Sequence, residues 1–438
     1  MGTGWTEDDA VHLLSRTTFH VSSNDLSAAL SLGKEETVRR LIEGVRLAGD
    51  NRAMPPIEET KADGKELKPN EISDEQTYWL YRMAASDEPL KEKMTLYWHD
   101  HFATSYRKVN DAALMRKQNE LFRTKALGSF RELVLEVGRD PAMLIWLDSN
   151  SNKKGKPNEN YAREIMELFT LGLGNYTEED IKEAARAFTG WGYDRNNAKV
   201  VYNAKQHDAG WKNVLGETGN FDEESVVDVL FRQKALAPFM ARNLLSYFGT
   251  PNPSEQWVAT VAADFAEKET VGDVLRALFE SDEFYRPEYR LTVVKSPAEY
   301  VAGIIRAFDI PMAKSFASSM RRMGQELYMP PDVAGWDGGA AWLMASSLLS
   351  RSQFAESVSK RVKTNLLTSA AYMPERKDNA EDWVDLWRRN AGVWGLGERS
   401  RSVLAKYADE TFVHAAAKVN GMRGLLQLLM ISPEAQMK

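Results

Sequence analysis

The sequence predicts a mainly α-helical protein, a large multi-helix globular body with a small β-hairpin insertion near residues 198–216. Apolar residues recur at three- and four-residue spacing through most of the 438-residue chain, which is the pattern of amphipathic helices. Capping residues precede several of these stretches, and no repeat of fixed period indicates a solenoid. We therefore expect one mainly helical domain over residues 1–438.

The ends of the first helices are marked in the sequence. Thr6-Glu7-Asp8-Asp9 has the form of a capping box at the start of the first helix. A second helix over about 23–32 stops at Gly33, and a third spans about 35–47. Residues 50–72 are polar and contain three prolines, so this stretch is predicted to be a surface excursion.

The rest of the chain is predicted to be helical, with one exception. Residues 198–203 have the composition of a strand, and residues 212–216 are predicted to return as its hairpin partner. The helices before the hairpin are predicted at about 73–86, 88–104, 110–127, 129–139, 159–171 and 177–188. From about residue 223 onward, helices follow one another closely.

Composition and charge exclude several classes of protein. Lys and Arg number 56 against 63 Asp and Glu, a net charge of −7, so the basic surface of a nucleic-acid-binding protein is not expected. The chain has no cysteine, which excludes disulfides, thiolate zinc sites and a cysteine nucleophile. No apolar run of about 18 residues predicts a transmembrane segment.

The sequence contains none of the common local signatures of targeting or catalysis. Its first residues lack the basic and apolar segments of a signal peptide, which predicts a cytoplasmic protein as written, or an exported one if a leader was trimmed. Neither a phosphate-binding P-loop nor the nucleophile turn of α/β-hydrolases is present. The His-Glu-x-x-His motif of zinc proteases is also missing.

Four segments resemble a single family. They are Tyr97–Phe102, Arg139–Trp191, His207–Gly216 and Pro330–Trp342, and the second contains the run Pro157-Asn158-Glu159-Asn160-Tyr161-Ala162-Arg163-Glu164. Together they are similar to the bacterial "domain of unknown function 1800" family over about residues 8–360. The resemblance carries no established activity. Members of that family tend to be encoded beside sulfatase-like proteins, so the resemblance implies a sulfatase-like protein as a partner.

The first candidate site is a pair of histidines, His99 and His101, near the end of a predicted helix. Residues two positions apart on a regular helix diverge by about 200° around its axis. The two imidazoles can therefore bind one metal ion only if the helix ends near Trp98. The alternative is a hydrogen-bonded core histidine at 101 and a partly exposed one at 99.

The second candidate is the polar face of the predicted helix over 159–171. Arg163, Glu164 and Glu167 share this face by their spacing. Either glutamate is a candidate metal ligand or general base, and Arg163 is a candidate anion-binding or carboxylate-orienting group. The alternative is a solvated face whose Arg–Glu pairs contribute little.

Further candidates lie in loops. His207 and Asp208 occupy the loop of the predicted hairpin, where a rigid scaffold can hold catalytic side chains. Two amides and two tryptophans are candidate substrate-binding residues, because amides suit a positioned polar loop and Trp rings beside glycine can stack on sugars: Asn158, Asn160, Trp191 and Trp336. The alternative for both tryptophans is a structural role in the core.

Two classes of function follow from these candidates. The first is an enzyme, either a metal-assisted hydrolase with Zn, Fe or Mn or an acid–base enzyme, acting on a polar, glycan-like substrate. It predicts one polar cleft that gathers His99, His101, His207, Asp208, Glu164 and Glu167. The second is a non-catalytic binding or assembly partner of a sulfatase-like protein, or a carbohydrate-binding accessory. A partner protein predicts an exposed apolar patch instead of a cleft.

Overall fold

Twenty-two α-helices and six short strands form the regular structure of the described residues, which are 4–49, 54–413 and 418–438 of this computed structural model. The mainly helical fold is therefore confirmed. None of the helices within these ranges combines the length and the apolar character that a membrane crossing requires. Residues 50–53, at the start of the expected polar excursion, lie outside the described residues.

Caps and glycines set the limits of the N-terminal helices. These helices are α1 (Glu7–Thr17), α2 (Ser23–Leu32) and α3 (Lys34–Glu43). Thr6 and Asp9 form the expected capping box at the start of α1. Gly33 and Gly44 follow α2 and α3 with φ of 80° and 68°, a conformation that favours glycine and ends a helix. Because of Gly44, α3 stops before the expected end at residue 47.

The polar excursion forms a short hairpin that is tied to the body. Strand β1 (Lys61–Ala62) pairs antiparallel with β2 (Lys65–Glu66). At the turn, the carboxylate of Asp63 accepts the Lys314 N–H at 3.0 Å, and the Asp63 N–H donates to Met312 O at 3.0 Å. These two bonds hold the turn of the excursion against the body.

A helix that is buried on nearly all sides crosses the middle of the protein. The helices of this region are α4 (Ile72–Ala85), α5 (Pro89–His101), α6 (Tyr106–Val109), α7 (Ala112–Thr124), α8 (Phe130–Gly138) and α9 (Pro141–Trp146). Nine of the 13 residues of α5 are buried. The sequence pattern predicts an amphipathic helix here, but burial extends around α5 because helices pack on several of its faces.

The helix expected over 159–171 consists of two pieces. Helix α10 (Asn160–Glu164) continues as a π-helical turn over Ile165–Thr170. Turns of this kind are rare overall, but those that occur often lie near functional sites. Helix α11 (Glu178–Ala187) follows, and the capping box of Thr177 and Asp180 agrees with the predicted start of this helix at 177.

The β structure near residues 198–216 is present, but its pairing differs from the prediction. Strand β4 (Lys199–Tyr202) pairs with the preceding β3 (Trp191–Asp194), and β5 (Lys212–Val214) pairs with β6 (Glu217–Gly219). Leu215 and Gly216 have φ of 52° and 83°, which is the geometry of a tight two-residue hairpin turn. The chain therefore reverses directly after β5, and β5 pairs with its own successor.

The C-terminal half continues as packed helices. They are α12 (Glu223–Phe231), α13 (Leu236–Phe248), α14 (Glu255–Glu267), α15 (Val271–Glu280), α16 (Pro297–Ala307), α17 (Lys314–Arg322), α18 (Ala345–Arg361), α19 (Thr364–Leu367), α20 (Ala380–Asn390), α21 (Glu398–Ala408) and α22 (Lys418–Ile431). Buried apolar residues form two clusters, and α5 contributes Trp98 to one and Leu96 to the other. Helix α5 therefore lies at the boundary between the two clusters.

The segment that ends at Lys438 pairs with the segment before α16. The Lys295 N–H donates to Gln436 O, and the Lys438 N–H donates to Val293 O, both at 2.8 Å. Met437 and Val294 form an antiparallel bridge between these two bonds. This pairing brings the side chain of Lys438 into the interior, where it is 2% exposed.

Polar groups on α5 are paired with residues of other helices. Arg123 donates to Glu92 through Nε at 2.6 Å and through Nη2 at 3.1 Å. Lys93 donates to Glu299 at 2.5 Å, and the Trp98 indole donates to Ala126 O at 2.9 Å. Buried charges require such partners because desolvation penalises a lone ion heavily. These bonds fix both the position and the rotation of α5.

We expect Glu92→Gln to lower the free energy of unfolding by about 3 kcal/mol, because the buried Arg123 would lose its buried carboxylate and keep only the more exposed Glu120 as an anionic partner. Chemical denaturation followed by circular dichroism measures this change. The matched control is Glu178→Gln, which removes an equally forked pair with Arg163 at 2.8 Å whose carboxylate is 67% exposed. No measurable change is expected for the control, since solvent screens that pair. Equal losses in the two variants would contradict this account of α5.

Candidate functional site

A cavity of about 650 Å³ opens beside the C-terminal end of α5. One wall consists of α5 residues, and the facing wall is the glycine-rich loop that follows Pro331. The π-helical turn contributes Leu168 to the rim, and the segment before α16 supplies Thr292 and Ser296. The first and fourth of the segments that resemble one family, Tyr97–Phe102 and Pro330–Trp342, therefore meet at this cavity.

Asp100 is the acidic side chain of α5 in this cavity. Its Oδ1 accepts the Trp336 N–H at 2.8 Å. Burial raises the pKa of Asp100 to about 7, and the hydrogen bond from Trp336 opposes that shift only in part. Near neutral pH, this carboxyl group is therefore divided between its acid and its carboxylate forms, as a proton donor requires.

Gly335 permits the close approach of the loop to Asp100. Its φ is 86°, and a Cβ added there would lie 2.8 Å from the Asp100 carbonyl oxygen and closer still to the side chain. Any larger residue would push the loop away from α5. The glycine therefore positions the Trp336 N–H that binds the carboxyl group.

His101 lines the same cavity. Its Nε2 lies 2.9 Å from the carbonyl oxygen of Phe169, in the π-helical turn. Because a carbonyl only accepts, Nε2 carries the proton, and Nδ1 retains the lone pair. Burial lowers the pKa of His101 to about 4, so the imidazole is neutral at pH 7.

His99 points away from this cavity, into an aromatic cluster. Its ring centroid lies 5.3 Å from that of Trp79, 5.8 Å from that of Tyr328 and 5.6 Å from that of Trp336. Burial lowers its pKa to about 3. The expectation of a partly exposed His99 is corrected by this placement: the residue is 1% exposed because α5 is buried on that face too.

Aromatic rings form much of the cavity wall. The rings of Tyr97 and Tyr247 pack edge to face at a centroid distance of 5.2 Å, and both line the cavity with Trp336 and Trp342. The hydroxyl of Tyr97 has no hydrogen-bond partner among the described residues. An apolar wall with a few polar groups is typical of a small-molecule site.

Charged residues on the face of α10 and its π-helical extension form ion pairs and hydrogen bonds with other residues of the chain. Arg163 forms a fork with Glu178 at 2.8 Å and also contacts Glu159 at 3.2 Å. Glu167 accepts the hydroxyl of Tyr176 at 2.6 Å. Burial, assisted by the charge of Glu167, raises the pKa of Glu164. None of the three predicted residues, Arg163, Glu164 and Glu167, lines the cavity beside Asp100.

The amides before α10 hold the loop together. The Asn158 N–H donates to Asn152 Oδ1 at 2.9 Å, and its side chain donates to Ser151 Oγ at 2.8 Å. The Asn160 N–H donates to Asn158 Oδ1 at 2.9 Å. These bonds account for the run of amides as a local loop scaffold, and the substrate-binding role of Asn158 and Asn160 stays a prediction.

The His-Asp pair and Trp191 belong to the region around α11 and β3. Arg186 on α11 donates to Asp208 at 2.8 Å and lowers the pKa of that carboxyl group to about 2. His207 Nδ1 lies 3.1 Å from the carbonyl oxygen of Thr189. The Arg139 guanidinium lies over the ring of Trp191, 5.0 Å from the ring centroid. These side chains are not part of the cavity lining.

The expected metal centre is not assembled in the part of the chain that the structure describes. No group of three or more His, Asp or Glu side chains there is placed to hold a metal ion. The six side chains that were expected to share one cleft are instead divided among an aromatic cluster, the cavity, the α10 face and α11. The site for Zn, Fe or Mn at His99, His101 and His207 stays a prediction without a common ligand set.

Sequence reasoning missed the central residue of this site. Asp100 lies between the two candidate histidines, but its raised pKa is caused by burial in the folded protein, and the loop that contacts its carboxyl group comes more than 200 residues later. One signal was present: Gly335-Trp336 belongs to a segment that carries the family resemblance. Glu299 and Lys438 also line the cavity, and no local motif marks either of them.

We expect Gly335→Ala to lower the free energy of unfolding by about 2 kcal/mol, because the new methyl group collides with the backbone of Asp100 and forces the loop outward. Thermal and chemical denaturation measure the change. The matched control is Gly155→Ala, where φ is 77° and no atom lies within 4 Å of the added Cβ, so only the backbone strain remains. If both variants lose the same stability, the close contact with Asp100 is not what requires glycine at 335.

Comparison with known proteins agrees with the resemblance noted in the sequence. A model of the family described as "Protein of unknown function (DUF1800)" matches residues 12–437, nearly the whole chain. No curated protein and no solved structure matches this chain. The match covers all the elements that form the cavity except Lys438. The chain belongs to the family of proteins of unknown function DUF1800.

Proposed function

We propose that the protein is an acid–base hydrolase that acts on a polar, glycan-like substrate in the cavity beside α5, with Asp100 as the proton donor. The observation that carries this proposal is the cavity-lining carboxyl group of Asp100, whose pKa burial raises to about 7. Perturbed carboxyl groups in clefts are candidates for acid–base catalysis. The fixed Trp336 N–H adds the orientation that proton transfer needs.

The proposed reaction breaks one C–O bond and consumes one water molecule. Asp100 donates its proton to the oxygen of the leaving group as that bond breaks. Water adds to the carbon, and its surplus proton returns through solvent to the Asp100 carboxylate. The neutral imidazole of His101, with its lone pair on Nδ1, serves as a hydrogen-bond acceptor that orients a substrate hydroxyl or the water.

The lining of the cavity supports a sugar-like substrate. Aromatic rings offer flat apolar faces, and here Trp342 and Tyr247 lie beside the polar groups of Tyr97 and Asp100. A sugar ring presents an apolar face and a polar edge, which matches this combination. The volume of about 650 Å³ is within the usual range for small-molecule pockets.

We expect Asp100→Asn to lose activity about 10²- to 10⁴-fold on glycosides with a poor leaving group, the usual contribution of a general acid. A panel of aryl glycosides, followed by release of the phenol, provides the measurement. In wild type, activity should fall as the pH rises through about 7, since the acid form is lost there. The variant should lack this alkaline limb. The loss of activity in Asp100→Asn should be smaller for dinitrophenyl glycosides, whose leaving group departs without a proton.

The control for this experiment is Asp140→Asn. Asp140 is also buried, and burial raises its pKa to about 7, but it accepts bonds from Gln118 and the Met143 N–H and does not line the cavity. Its variant should keep both the activity and the alkaline limb. Wild-type protein that binds glycosides and hydrolyses none would overturn the proposal in favour of a carbohydrate-binding accessory. Loss of the limb in the control would remove Asp100 from its assigned role.

A further inference from the structure

Buried positive charge accumulates behind one end of the cavity. Four cationic side chains there are at most 2% exposed, and Glu299 is the carboxylate whose charge acts on all of them. We refer to these residues as the cationic cluster: Arg16, Lys93, Arg351 and Lys438. Lys295, half-buried, adds its charge to the same region. Burial on this scale is unfavourable for cations unless anions accompany them.

Glu299 is shared between two members of the cluster. Its Oε1 accepts Lys93 at 2.5 Å and also accepts Lys438. Burial opposes its ionisation, yet Lys438 and Lys93 hold the pKa of Glu299 far below its ordinary value. One carboxylate therefore serves two ammonium groups, and the guanidinium groups of Arg16 and Arg351 form no ion pair with it.

The guanidinium groups of the cluster also have unused donors. Arg16 donates from Nη2 to Tyr289 O at 2.6 Å and to Thr292 Oγ1 at 3.3 Å. Its Nε and Nη1, and Nε of Arg351, are buried without a hydrogen-bond partner among the described residues. Buried donors normally form hydrogen bonds, and a buried donor without one is energetically unfavourable. The unsatisfied donors and the several cations around one glutamate both favour a further anion close to the cluster. Lys438 is the member of the cluster that lines the cavity.

The cluster is continuous with the cavity that contains Asp100. Lys438, Glu299 and Thr292 line its wall. The Lys438 ammonium lies 4.8 Å from the ring centroid of Tyr247, and that ring packs against Tyr97, one helical turn before Asp100. The aromatic wall therefore connects the cationic end of the cavity to the proton donor.

We propose that the Lys438 end of the cavity binds an oxyanion, a carboxylate, sulfate or phosphate group carried by the substrate. The statement that the substrate carries this anion rests on the proposed function, because it requires that the anion and the scissile bond belong to one molecule. Ammonium and guanidinium groups form strong charge-assisted bonds with such oxygens. Burial lowers the pKa of Lys438 to about 7 although Glu299 opposes the shift, so an added negative charge stabilises the ammonium form.

Titration calorimetry with inorganic sulfate, inorganic phosphate and glucuronate, at ionic strength fixed with chloride, tests the oxyanion site. We expect one saturable site per chain, and the tightest of the three probes identifies the anion. Lys438→Gln should weaken binding at least about tenfold. Lys154→Gln, at an exposed lysine, should bind as wild type does. Absence of saturable binding for all three probes, or unchanged binding in a folded Lys438→Gln protein, would overturn the proposal.

A measurement on wild-type protein keeps the test independent of how the variant folds. Reductive methylation labels neutral amines, and mass spectrometry then reports the labelling of each lysine. The best-binding anion should protect Lys438 and leave Lys154 unprotected, whereas equal labelling of Lys438 with and without the anion would contradict the site. Anion binding without hydrolysis would reject the proposed reaction alone, and hydrolysis without anion binding would reject the oxyanion site alone.

Discussion

The requirement that each polar group of a buried helix finds a partner determines the arrangement around α5. Glu92 pairs with Arg123 and Lys93 with Glu299, while Asp100 accepts a backbone N–H of the glycine-rich loop. His101 reaches the carbonyl oxygen of the π-helical turn. Each bond ties α5 to a different part of the chain. The cavity beside its C-terminal end is therefore bounded by elements whose positions are fixed by charge and hydrogen bonding as well as by apolar packing.

Three consecutive residues of α5 face three different surroundings because successive side chains on a helix diverge by about 100°. His99 enters the aromatic cluster, Asp100 meets the loop at Gly335, and His101 contacts the π-helical turn. Burial acts on all three in the direction that favours the neutral form, so both imidazoles are neutral and the carboxyl group holds its proton up to about pH 7. Desolvation thus places a proton donor, Asp100, and a neutral imidazole, His101, in the lining of one cavity.

Local rules predicted much of the fold. Capping at Thr6 and Thr177 and the glycine at 33 located helix ends, because these signals act within one turn. The predicted strand pairing is wrong because Leu215 and Gly216, which the prediction includes in a strand, form a two-residue turn. The site was less predictable: Arg163 is bound by Glu178, and burial among distant segments raises the pKa of Asp100. Charge pairing and burial between distant segments leave no periodic trace in a sequence.

Because α5 is held by bonds from several directions, we expect its backbone to open only together with the surrounding body. The contacts that bury Asp100 are among those that hold the native state together. Proton affinity at the site and the free energy of unfolding are consequently linked quantities. A substitution that returns Asp100 to an ordinary acidity would also loosen the packing around α5, so selection for a different working pH would act on the durability of the whole protein.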